Sequence, residues 1–134
     1  MHLQRLVITV IFEASNVSSY QVLIDILLNK VDGKMNNLIS VVVTCYNHEK
    51  YIEQCLRSIF NQTYRNIELI VLDDGSTDSS AKIIQEVLKD SPFETSFESH
   101  ENLGVVKNRN MGLGLIKGDY LLFVDSDNYL DMDY

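Results

Sequence analysis

LISVVVTCYNHEKYIEQCLRSIF, residues 38–60, decides the fold. It opens on a largely β-branched run, 38–44, the pattern of a strand buried on both faces. Ile52, Cys55, Leu56, Ile59 and Phe60 then recur at i, i+3, i+4, i+7 and i+8, which is one face of a helix. Asn47, ahead of that face, stands where a helix cap is expected. A buried strand followed by a polar turn and an amphipathic helix is the first half of a β-α-β unit.

The same grammar repeats downstream. IELIVL, 67–72, reads as a second buried strand, and DDGSTDSS as a turn into a helix over about 79–89. That helix has Ile83, Ile84, Val87 and Leu88 inward, with Ser76, Thr77 or Asp78 as candidate caps. Pro92 closes the region. ETSFES, 94–99, is a weaker third strand. A helix follows over about 105–117, although Gly112 and Gly114 each cost it up to ~1 kcal/mol relative to Ala. DYLLFV, 119–124, is the fourth strand. Strands alternating with helices predict an α/β fold: a Rossmann-like open parallel sheet joined by right-handed crossovers.

Residues 1–37 fit this pattern poorly, although 6–12 could form a strand and 20–30 an amphipathic helix. They are expected to be a peripheral N-terminal extension to a domain spanning 38–134. Met35 offers that domain its own start, in which case residues 1–34 are not part of the native product.

Composition narrows the function. The net charge is −8, and residues 1–34 carry three basic and three acidic side chains, so the whole excess lies in 35–134. An acidic domain is a poor nucleic-acid binder, since phosphate contacts need a basic face. If it binds phosphates, a metal cation is expected between them. Cys45 and Cys55 form no C-x-x-C and are read as reduced, buried thiols. The opening apolar run is too short for a membrane span or a convincing signal-peptide core, so a cytoplasmic chain is expected.

Ligands of open parallel sheets bind beyond the carboxyl ends of the strands. After the first strand come Thr44, Tyr46 and Asn47; after the second, Asp73 and Asp74; after the third, Glu101 and Asn102; after the fourth, Asp125 and Asp127. Any one of these could be turn or cap chemistry. Four carboxylates on one rim, however, repel one another unless a cation or a donor-rich ligand is present. Mg²⁺ or Mn²⁺ bridging carboxylates to a phosphorylated ligand suits hard oxygen donors. The chain has neither a G-x-x-x-x-G-K-[ST] nor a G-x-G-x-x-G after its first strand. An EF-hand loop beginning at Asp125 fails because Leu130 stands where Gly is needed. A haloacid-dehalogenase-type phosphatase would carry its D-x-D on the first strand, not the last.

Four segments in order, VVVTCYNHEKYIEQCLRSIFNQTY, IELIVLDDGSTDSS, ENLGVVKNRNMG and GDYLLFVDSDNYLDMDY, closely resemble the nucleotide-binding half of family 2 glycosyltransferases of the GT-A fold. The resemblance covers residues 38–134. It implies that Thr44 and Tyr46 line a nucleoside pocket, with Asn47 beside them. It further implies that Asp74 accepts a hydrogen bond from the base, that Asp73 supports the loop, and that Arg109 of the A-R-N-like segment faces the nucleotide. Lys107, two residues earlier, is the alternative basic group. Asp125 and Asp127 match the D-x-D, the first near ribose and sugar and the second on the metal. Asn108 departs from the small residue usual before the Arg, and Asn128 from a frequent Asp.

The implied chemistry is inverting transfer of a sugar from a nucleotide diphosphate donor, a UDP-sugar foremost, to an acceptor hydroxyl on a glycan, lipid or cell-wall polymer, with Mg²⁺ or Mn²⁺. Such transfer needs a carboxylate base for the acceptor, and no residue matches it. The chain therefore reads as a donor-binding half truncated after the D-x-D strand, inactive by itself and membrane-peripheral at most in the complete protein. Its fourth strand is expected at or near an exposed edge, inviting self-association. The competing reading is a non-catalytic nucleotide-binding module.

Overall fold

The computed structural model describes residues 8–10 and 38–127. The element order is β1 (Ile8–Val10), β2 (Ile39–Cys45), α1 (Ile52–Phe60), β3 (Ile67–Asp73), α2 (Ser80–Leu88), β4 (Glu94–Ser99), α3 (Val105–Leu115) and β5 (Tyr120–Asp125). All pairings are parallel, and the sheet order is β1-β5-β2-β3-β4. This is the open, alternating α/β sheet that the sequence predicts.

Chain direction explains the layers. From β2 the chain steps outward through β3 to β4, and α1 and α2 cover one face. It then jumps back to β5 on the other side of β2, and α3 crosses the opposite face. Right-handed crossovers running in opposite directions must lie on opposite faces. Alternate strand residues divide accordingly. Val41, Val43, Leu69, Val71, Leu122 and Val124 pack with Ile52, Leu56, Ile59 and Ile84. Val42, Ile70, Leu72, Leu121 and Phe123 face Met111, Leu115 and Ile116. Burying one such aliphatic side chain contributes about 1.5–3 kcal/mol, so the two faces together dominate the fold's stability.

Gly112, an apparent flaw in α3, is required by this second face. A Cβ there would stand 2.7 Å from Val42 Cγ1 and 3.2 Å from Leu72 Cδ1. The glycine lets the helix lie directly on the sheet.

The last strand lies near the edge of the sheet, as expected, but does not form it. Tyr120–Leu122 pairs with Ile8–Val10 on one side, as it does with Ile39–Val41 on the other. The weak third strand forms as β4 and lies at the opposite edge, with its side chains mostly exposed or half-buried. At the amino end of the strands, the buried Glu68 carboxylate accepts from Ser40 Oγ and from the amides of Lys117 and Gly118. Those donors offset the several kcal/mol that an unpartnered buried carboxylate would cost. They also fix the turn into β5. No helix among the described residues is long and apolar enough to cross a membrane.

Candidate nucleotide-sugar site

The strand order reverses between β2 and β5, and ligands of such sheets bind where it does. At that point the structure has a cleft of about 240 Å³. Its walls come from the β2 end (Thr44, Cys45, Tyr46, His48), the β3 end (Asp74), the head of α3 (Val105, Asn108, Arg109) and the β5 end (Asp125, Asp127). A larger hollow of about 580 Å³ lies between α1 and α2, away from the strand ends. Several of its charged groups are already spent in exposed pairs such as Arg57–Glu53 and Lys89–Glu86. It offers no convergent polar site.

Parallel register sets Thr44 beside Asp125. One carboxylate oxygen of Asp125 accepts from Thr44 Oγ1 at 3.2 Å and from an Arg109 terminal nitrogen at 3.0 Å. The Arg109 guanidinium also sits 5.7 Å over the Phe123 ring, and its Nε is buried without a partner among the described residues. Lys107 is exposed and lies outside the cleft wall, so Arg109 is the basic group that the fold brings in. Asp127 is exposed, and its carboxylate has no hydrogen-bond partner among the described residues.

The β3 pair is arranged differently. Asp74 is 4% exposed; its two oxygens accept from the amides of Leu103, at 2.8 Å, and Gly104, at 3.1 Å. It thereby holds the loop that starts α3, and a base contact would have to use a remaining lone pair. Asp73 is 1% exposed and accepts from Ser99 Oγ at 2.9 Å and Ser76 N at 3.3 Å. It supports the loop, as expected, and does not line the cleft. The picture of four carboxylates converging on one rim is therefore corrected: two are turned into main-chain and hydroxyl donors, and two face the cleft.

Asn47 is also corrected. It caps no helix: α1 starts at Tyr51 without a side-chain cap. With φ of 54°, Asn47 accepts from Thr77 N at 2.7 Å, and its own amide donates to Ser76 Oγ at 2.9 Å. These bonds lash the β2 loop to the β3 loop outside the cleft wall. Asp78, one residue ahead of the N-cap Ser79, accepts from Ser80 N at 2.9 Å and Glu49 N at 3.1 Å. Gly75 makes that turn possible: its φ is +75°, and a Cβ would meet Asn102 N at 2.6 Å.

Sequence reasoning passed over four residues. His48 Nδ1 bonds Ser126 Oγ at 2.5 Å, and Ser126 is buried between the two D-x-D aspartates. His100 bridges the Glu101 carbonyl, at 2.7 Å, and Asn108 Oδ1, at 2.9 Å, and its ring lies 3.6 Å from Asp74. Desolvation lowers the His100 pKa, but those two bonds and the charges of Asp74 and Asp73 outweigh it, so the net shift is upward. The buried Asn108 lies under the helix head, which explains a polar residue where a small one is usual. Asn108 stands out in the sequence by its unusual type, without a role; the His48–Ser126 contact spans 78 residues and leaves no local signal.

The two thiols match the bland expectation. Both are buried and free, and burial raises both pKa values, Cys55 to about 12 with Cys45, Asp127 and Asp125 adding to it. Neither is poised as a thiolate nucleophile or ligand.

The residues present fit a hard divalent cation. Among the described residues no group of three His, Cys, Asp or Glu side chains is placed to hold a metal. Asp127 and Asp125 are therefore an open pair, the type of site Mg²⁺ or Mn²⁺ occupies when phosphate oxygens and water complete the shell. Asn128, the neighbouring departure from the D-x-D pattern, lies outside the described residues.

A family model described as Glycosyl transferase family 2 matches residues 40–134. The chain belongs to this family. It is 42% identical over 100 residues to the glycosyltransferase GlyA of Streptococcus pneumoniae, covering 75% of this chain and 14% of that protein. It is 43% identical over 96 residues to an uncharacterized glycosyltransferase of Haemophilus influenzae, covering 72% and 38%. The family 2 segment thus spans well under half the length of these relatives. Among solved structures, Staphylococcus aureus TarS 1–349 in complex with UDP-GlcNAc matches at 35% identity and TM-score 0.62, over 69% of this chain and 27% of that one. The mannosyltransferase PcManGT of Pyrobaculum calidifontis, in complex with GDP-Man and Mn²⁺, matches at 24% identity and TM-score 0.66, over 84% and 35%. At that identity it shows the shared GT-A fold alone.

Proposed function

We propose that this chain is the donor-binding part of an inverting glycosyltransferase that takes a nucleotide diphosphate sugar, a UDP-sugar foremost. The observation that carries the reading is the corner where Asp125, held by Arg109 and Thr44, stands beside Asp127, unpartnered among the described residues, at the sheet's reversal point. The relative solved with UDP-GlcNAc supports the choice of nucleotide.

Tyr46, 46% exposed on the cleft wall, offers a ring face to the base. Asp125 faces ribose and sugar, and Asp127 with Asp125 would hold Mg²⁺ or Mn²⁺. The cation, when bound, supplies a Lewis acid for the charge that grows on the leaving diphosphate. Arg109 adds a fixed guanidinium with an unspent N–H to the same charge. Asp74 acts through the Leu103–Gly104 loop, setting the head of α3 and so the position of Arg109.

In the complete protein the acceptor is a glycan, lipid or cell-wall hydroxyl. The base that takes its proton is assigned to chain outside the matched donor half, so these 134 residues bind donor without transferring it. Calorimetric titration with UDP, GDP and dTDP, each with and without Mn²⁺, tests the reading. Binding strengthened by the metal, UDP above the others, is expected; a folded chain that binds none of them in either condition contradicts it.

A further inference from the structure

We propose that His48 is a positioning residue for the D-x-D turn, a strut that sets where Asp127 stands. The proposal rests on the donor-site reading. Asp127 has no side-chain partner among the described residues, so its carboxylate goes where the main chain of 125–127 puts it. Among the described residues, Cys55 Sγ donates to Asp125 O at 3.8 Å, and Ser126 is tied down beyond the end of β5. Ser126 N donates to Thr44 O at 3.1 Å, extending the ladder by one residue. The Ser126 hydroxyl, fully buried, meets His48 Nδ1 at 2.5 Å.

His48 is itself fixed from three sides. Its amide donates to Ser80 Oγ at 3.0 Å, at the head of α2. Its carbonyl accepts from the amides of Tyr51 and Ile52, both at 2.9 Å, at the head of α1. Its ring meets Tyr51 edge to face, with centroids 6.2 Å apart. A ring anchored to two helix heads and aimed at the hydroxyl between two metal-facing carboxylates carries the rigidity of the core to the turn. Either ring tautomer makes the strut, since the hydroxyl both donates and accepts. Carboxylates that bind metals need such support within about 0.5 Å of the productive geometry.

The test uses the full chain, with UDP affinity measured with and without Mn²⁺. His48→Ala is expected to lose about tenfold of the metal-dependent gain in affinity, as removal of groups that orient metal-facing residues commonly does. UDP affinity without metal is expected to stay the same in Ser126→Ala, since Ser126 is buried and lies outside the cleft wall, and to fall by less than the metal-dependent gain in His48→Ala, since His48 is part of that wall. His48→Asn, whose side-chain amide reaches the Nδ1 position, is expected to recover most of the loss, and His48→Gln not to. Ser126→Ala removes the other end of the strut and is expected to match His48→Ala, with the double variant no worse than either. It also serves if His48→Ala does not fold.

A wild-type gain retained in His48→Ala or Ser126→Ala overturns the strut. So does an equal loss with and without metal, or an Asn variant as impaired as Ala. A wild-type chain whose UDP binding does not respond to Mn²⁺ overturns the strut together with the metal part of the donor-site reading.

Discussion

Two pairs of aspartates close two neighbouring strands, and they do opposite things. Asp73 and Asp74 at the end of β3 are 1% and 4% exposed and accept amide and hydroxyl hydrogens. Asp125 and Asp127 at the end of β5 open onto the cleft, with one held by Arg109 and the other unpartnered among the described residues. A buried carboxylate turned into the loops builds structure, even though Asp73 Oδ1 is left without a partner among the described residues; an exposed one facing a cleft is available to a cation or ligand. The difference lies in the chain around each pair. After β3 the backbone turns back over the carboxylates through Gly75 and the 101–104 loop, whereas after β5 Thr44 and Arg109 reach the Asp125 carboxylate and, among the described residues, no side chain reaches that of Asp127.

The largest expected effect breaks the first pair. Asp74→Ala leaves the amides of Leu103 and Gly104 without their acceptor, and hydrogen bonds to a charged group contribute about 1.5–3 kcal/mol each. Urea unfolding should show a loss of about 3 kcal/mol. A variant as stable as the wild type would mean that Asp74 is not structural.

Next is the cation that faces the second pair. Arg109→Gln removes charge from the cleft and should weaken UDP binding about tenfold, or about 1.4 kcal/mol. Its stability should fall by only about 1 kcal/mol or less, because Arg109–Asp125 is a partly exposed pair, with side chains 31% and 45% exposed. A large stability loss with unchanged affinity would place Arg109 with the structural pair.

The smallest effect concerns His100, which ties Asp74 to Asn108. Its folded pKa is raised, so its contribution is complete below the unfolded value of about 6.5 and is lost as pH rises through the folded pKa. Wild type should therefore lose slightly more stability than His100→Gln between about pH 6 and pH 8, read as the shift in urea midpoint. Equal shifts would remove the charged imidazole from the account.

Much of the fold was legible because its signals are local. The β-branched run at 39–45 and the helical spacing of Ile52, Cys55, Leu56 and Ile59 need only a few neighbours to be read. The region of the site was legible too, since strand ends are easily located. Which polar residue does what was not, because burial and register decide it. Asp74 and Asp127 look alike as letters, and only the path of 101–104 separates them. Asn47 looks like a cap, but its left-handed φ aims it at Thr77 instead. Glu68 sits inside an apolar run and is held by partners about 28 and 49 residues away. The pairing of Ile8–Val10 with β5 joins residues more than a hundred positions apart.

The most direct test of the difference between the two pairs is UDP affinity of Asp127→Ala with and without Mn²⁺, measured beside its urea midpoint. The account predicts an unchanged midpoint, an unchanged metal-free affinity and loss of the metal-dependent gain. A variant that keeps the full gain, or one that loses stability as Asp74→Ala is expected to, would contradict it.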